Sequence, residues 1–226
     1  MIDDEWMFDP AELLAVESAQ RVQGEEGKKA RAVAIQTRKM LRRAKCEKVL
    51  DEILPAELQP NTSYHVISHG DVDALSYLRH IVKARALTYV SISTWCMARE
   101  DVEEVERWLD AGRIDRVDWY VGEIFPNQYG DEMELVRRLV ACYGGRLVVA
   151  RNHSKVTLAA NEAEGFYAAI ESSANVNTNP RIEQSAIHVS EDLYLFYRDF
   201  FDGLNSIEPR QPGRVRAPAQ GIAAGD

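Results

Sequence analysis

Leu147-Val148-Val149-Ala150-Arg151-Asn152-His153-Ser154-Lys155 and, further on, Ser172-Ser173-Ala174-Asn175-Val176-Asn177-Thr178-Asn179-Pro180-Arg181-Ile182-Glu183-Gln184 are the stretches that decide what this chain can be. The apolar run Leu147, Val148 and Val149 delivers a histidine, and a lysine follows two positions later. Ile170 leads into a Ser/Asn turn, after which Ile182, Gln184 and Ala186 alternate with Glu183, Ser185 and Ile187. Each chemistry-bearing residue therefore falls at the edge of an expected strand. Brought together by a fold, they would make a phosphate-handling site. His153 can serve as nucleophile or acid/base. Lys155, Ser173 and Asn175 can hold phosphoryl oxygens, and Glu183 can fix the imidazole tautomer as the third member of a triad does. A lone H-x-K carries little weight; the ordered set in its strand-edge context carries much more.

This order, H-x-K, then a small-Ser-x-Asn turn, then a Glu ten positions after Ser173, resembles the half-motif of the phospholipase D superfamily. The resemblance implies a phospholipase D-like α/β sandwich and metal-independent phosphodiester chemistry through a phosphohistidine, with no cofactor and no metal. Its active site needs two H-x-K halves. This chain has one, since His65, His69, His80 and His188 lack a lysine two positions on, and no internal repeat is present. The implied assembly is a homodimer sharing one active site across an isologous interface. The sequence departs from the pattern in places. The family's Asp five residues after the Lys is Ala160 here, followed by Asn161, and the Gly before the key serine is Ser172. The spacer between Lys155 and the Ser turn is also long. The resemblance gives that Asp a supporting role. Its absence keeps alive a rival, a catalytically weak or inactive nucleic-acid-binding or scaffold protein on the same fold; a transferase or lipid phosphodiesterase using the same residues is a third.

The 226 residues, 46% hydrophobic and 28% charged, suit one domain with extensions. No run approaches the ~18 apolar residues that cross a bilayer. The start, Met1-Ile2-Asp3-Asp4-Glu5, lacks the basic-then-apolar order of a signal peptide. Cys46, Cys96 and Cys142 show neither zinc spacing nor a disulfide framework, so a reducing cytoplasm and buried apolar thiols are expected. A net charge of −9 excludes indiscriminate coating of nucleic acid. The charge is uneven, however. Residues 1–27 hold eight acids and one base, whereas residues 28–48 hold nine bases and one acid. The basic stretch is either a solvated helix face paired with the acidic leader or a phosphate-binding helix, with Arg38 and Arg42 as its substrate contacts.

Helical periodicity covers residues 10–22 and about 28–54, and Pro55, Pro60 and Asn61 mark a boundary. The expected organisation is an N-terminal helical extension over 1–60, a phospholipase D-like domain over 61–207 and a disordered Pro/Gly/Ala/Arg tail over 208–226. Within the domain, strands are expected at 64–68, 87–94, 117–124, 146–150, 166–171 and 182–189. Helices are expected after Asp71 as N-cap, over 99–111 and 131–143, and over 192–204. Alternation of strands and helices predicts a sheet that is parallel at first and mixed at its end. Ligands sit at the carboxyl ends of such strands. Trp95 closes the second strand, where it either packs in the core or lines a substrate groove, and Arg181 lies inside the motif. His69-Gly70-Asp71-Val72-Asp73 could suggest a metal, but a helix cap is the commoner use. Nucleotide-cradling and serine-hydrolase motifs are absent. The basic helix and Arg181 favour nucleic acid over lipid as partner, with no membrane.

Overall fold

The computed structural model describes residues 44–177 and 181–207. Arg38 and Arg42, the helix expected at 10–22, most of the basic stretch and the tail beyond 207 lie outside the described residues. Residues 44–53 form helix α1. There follow β1 (Thr62–Ser68), α2 (Ala74–Ala84), β2 (Tyr89–Thr94), α3 (Arg99–Asp110) and β3 (Val117–Gly122). Next come a short α4 (Phe125–Gln128), α5 (Gly130–Tyr143) and β4 (Leu147–Ala150). β5 (Val156–Asn161), β6 (Phe166–Ser172), β7 (Glu183–Val189) and α6 (Glu191–Asp202) complete the order.

The seven strands make one sheet in the order β1-β7-β6-β5-β2-β3-β4. β2, β3 and β4 run parallel, while β5, β6, β7 and β1 add antiparallel pairs, so the sheet is mixed as the alternation predicted. β2 and β3 are buried at every position, as befits strands covered on both faces. One face packs against α1, α2, α3 and α5 through Leu50, Leu78, Ile81, Val105, Val136 and Trp119. A buried two-pronged ion pair, Arg79 to Glu104 at 2.5 and 2.7 Å, fastens α2 to α3. The other face carries α6, whose Tyr194 and Phe201 cover Tyr89, Tyr120, Leu158 and Ala160. Beyond α6 the chain returns along the edge strand: Ile207 N–H donates to Val149 O at 2.8 Å, and Val149 N–H donates to Ser206 Oγ at 3.1 Å.

Four readings of the sequence change. Asp71 does not cap α2; its carboxylate accepts from His69 N–H at 3.0 Å, closing the preceding turn, and Asp73 occupies the N-cap, where its carboxylate accepts from Cys46 Sγ at 3.8 Å instead of capping the helix. β5 is an additional strand hidden in the long spacer. It pairs with β6 through a 3-10 turn at Glu162–Glu164 closed by Gly165 in the left-handed region. Cys142 is exposed on α5, whereas Cys46 and Cys96 are buried. Leu50, Leu54 and Leu58, assigned by sequence to the extension, belong to the main core. No described helix is long and apolar enough to cross a membrane.

Candidate active site at the strand ends

The H-x-K residues lie on the short loop from β4 to β5, at the carboxyl end of the parallel strands. The Ser/Asn turn leaves β6 at the same end. Register brings them together: antiparallel pairing sets Val156 opposite Glu171, and Ser172 N–H donates to Lys155 O at 3.0 Å. Lys155 Nζ donates to His153 Nδ1 at 2.9 Å and to His153 O at 2.7 Å. Because the ammonium can only donate, Nδ1 acts as acceptor, and the neutral ring in this pose carries its proton on Nε2.

Burial holds the Lys155 amine below the ordinary lysine range, while the charges of Cys96 and Glu183 oppose that shift. Ser173 Oγ donates to Glu183 Oε2 and accepts from Gln184 N–H at 3.0 Å, so the serine and the carboxylate form one unit across the β6–β7 connection. Asn175 uses its carbonyl to accept from Trp95 N–H at 3.3 Å and from Thr94 Oγ1 at 3.4 Å, which anchors the turn to the end of β2. Val176 bridges Met97 in parallel on the same seam.

Trp95 is half-buried, and its ring centroid stands 5.5 Å from that of His153. Gly122 makes this approach possible: a Cβ there would come within 2.5 Å of Trp95 Cδ1 and 3.1 Å of Asn152 O. The indole packs against the main core, as one of its two readings expects, and also stands against His153. Arg181 is exposed just before β7, and Arg151 is exposed two positions before His153. The sequence reading passed over Asn152 and Ser93, which are buried beneath the H-x-K loop; a polar pair at otherwise apolar strand ends was the available signal.

Ala160, the position of the missing Asp, is fully buried against the aromatic face under α6. Five residues along β5 it stands roughly 16 Å from Lys155, at the far end of the strand. Its neighbour Asn161 ties that end down, donating to Ala86 O at 3.0 Å and accepting from Glu164 N–H at 3.1 Å. No group of His, Cys, Asp and Glu among the described residues could hold a metal ion.

No protein-family model matches the sequence, and no curated protein matches it. Among solved structures the chain is similar to polyphosphate kinase from Porphyromonas gingivalis, at 16% identity over 66% of this chain, with a TM-score of 0.47. It spans only 27% of that enzyme. NucT from Helicobacter pylori matches at 14% identity over 62% of this chain and 94% of its own, with a TM-score of 0.46. TrmBL2, an archaeal chromatin protein, matches at 7% identity over 86% and 68%, with a TM-score of 0.46. In fold the chain is an α/β sandwich: a mixed sheet flanked by helices, with the H-x-K loop and the Ser/Asn turn side by side at one end.

Proposed function

We propose that the chain is a metal-independent phosphodiesterase, a nuclease, that works as a homodimer. The observation that carries this is the meeting of His153 with Lys155, and of Ser173 with Glu183, around one strand end. His153 of one protomer, in the tautomer that holds its proton on Nδ1 once Lys155 has turned from that nitrogen to the substrate, attacks phosphorus through Nε2, forming a P–N bond as the P–O bond to the leaving oxygen breaks. His153 of the partner subunit gives its Nε2 proton to that oxygen. The partner's imidazole, now bare at Nε2, takes a proton from water; the water oxygen attacks phosphorus and the P–N bond breaks. Lys155, Ser173 and the Asn175 amide nitrogen, whose carbonyl is already engaged, stabilise the equatorial oxygens. Glu183, which accepts from Ser173 Oγ, holds that hydroxyl in place and balances the charge of Lys155. One imidazole must be neutral while the other is the imidazolium, so the rate is bell-shaped in pH.

Exposed Arg151 and Arg181 beside the site suit a polyanion, and nucleic acid is the substrate class they favour. The second copy finds an apolar surface on α6, where Leu195, Phe196 and Phe200 are 43, 65 and 61% exposed. Glu191, Asp192, Asp199 and Asp202 on the same helix disfavour an anionic membrane as the occupant. The test is cleavage of labelled single- and double-stranded DNA and RNA in EDTA by the wild type and by His153→Ala. Cleavage by the wild type that the substitution abolishes is the expected result. A strict requirement for a divalent metal, or equal cleavage by both proteins, overturns the proposal. Retained binding without cleavage by either makes the chain a binding module.

A further inference from the structure

Beneath the H-x-K loop lies a closed cycle of hydrogen bonds that none of the reacting groups enters. Asn152 Nδ2 donates to Ser93 Oγ at 2.9 Å, and the same amide donates to Tyr120 O at 2.8 Å. Ser154 Oγ stands 2.7 Å from Asn152 Oδ1 and 2.6 Å from Ser93 Oγ. The Asn152 carbonyl can only accept, so Ser154 donates to it, and Ser93 must then donate to Ser154. The cycle runs in one sense: Asn152 to Ser93, Ser93 to Ser154, Ser154 back to Asn152. Bonds ordered this way reinforce one another. Ser154 N–H also donates to Asn152 Oδ1 at 3.0 Å, so both polar ends of the Asn152 side chain are fully used. The cycle joins β2 through Ser93, β3 through Tyr120, and the loop through the residue between His153 and Lys155.

We propose that Asn152, Ser93 and Ser154 form a positioning device that fixes where His153 and Lys155 stand. It rests on the reading of His153 and Lys155 as the reacting pair, but its physical content is separate: the cycle keeps the loop pressed onto the strand ends. There the lysine stem stays desolvated and the imidazole stays against Trp95. Aspartate cannot replace Asn152, because it offers no donor to Ser93 or Tyr120 O and adds a negative charge beneath the lysine.

Ser154 gives the cleanest test because its side chain is exposed enough to be truncated without opening the core. Ser154→Ala removes one link of the cycle, Ser154→Thr keeps the hydroxyl, and Asn152→Ala removes the hub. In the intact chain, NMR titration of the Lys155 side chain reads the device without any need for turnover. The Lys155 pKa should rise toward the ordinary lysine value in Ser154→Ala and Asn152→Ala, and hold its wild-type value in Ser154→Thr. If cleavage is present, kcat should fall about ten- to a hundredfold in the Ala variants with KM nearly unchanged, and recover in Ser154→Thr. A Ser154→Ala protein in which Lys155 titrates as in wild type overturns the proposal, even if its thermal stability has dropped. Absence of cleavage in the wild type bears on the nuclease reading alone and leaves the titration result standing.

Discussion

Lys155 occupies a place in which its own charge is disfavoured. Burial lowers its pKa from the usual value of 10.5, so between that lowered value and 10.5 the unfolded chain holds the proton more tightly than the folded one. Stability therefore rises with pH across this window, and at neutral pH the charged amine is a net cost to folding. Lys155→Met should leave the melting temperature unchanged or raise it, while cutting cleavage by about 10²–10³-fold; a clear drop in melting temperature would show the amine to be structural. Most of the candidate site is legible at this scale, since His153, Lys155, Ser173, Asn175 and Glu183 are picked out by residue type and order. What could not be seen is how they are held. Asn152 and Ser93 matter through distances between segments about 60 residues apart in sequence, and the role of Gly122 is the lack of a side chain against Trp95.

Among the strands, β5 is the one the sequence concealed. Val156-Thr157-Leu158-Ala159-Ala160-Asn161 alternates weakly because both of its faces are covered, leaving no polar side to give a period of two. The strand also absorbs the long spacer: its hairpin with β6 returns the chain to the site, so added length between Lys155 and Ser173 does not separate them. The absence of an Asp at Ala160 takes on a different meaning here. Restoring it as Ala160→Asp would place a carboxylate on the face that already buries Asp118, among Tyr89, Tyr120 and Tyr194. Chemical denaturation should show a loss of about 3–5 kcal/mol, while the folded fraction keeps its wild-type turnover, because the strand's far end is remote from the chemistry. Improved activity in this variant would refute that account.

For the molecule as a whole, the proposed mechanism needs two H-x-K loops where this sequence supplies one, so the proposal makes assembly part of its test. Sedimentation should give a dimer, and Phe196→Glu combined with Phe200→Glu should yield a folded monomer without cleavage activity. Mixing excess His153→Ala chains into the wild type should depress activity beyond simple dilution, because mixed dimers carry one histidine instead of two. A monomer with full activity would remove the shared-site mechanism. The mixed sheet and its flanking helices could be anticipated from alternation and turn residues; helical spacing alone reads Phe196, Phe200 and Phe201 as core or dimer contacts alike, and only the fold separates exposed Phe196 and Phe200 from buried Phe201.

The bracket that Ser206 and Ile207 place along β4 has its own bearing on how the protein would fail. A terminal strand with bare amides and carbonyls invites any stray extended peptide to add itself, and successive additions grow into fibrils. Val149 spends its N–H and its C=O on the returning chain, so that border is closed to recruits. Clipping the polypeptide after Gly203 would unseal it, and the trimmed protein should seed insoluble ribbons that the intact one resists.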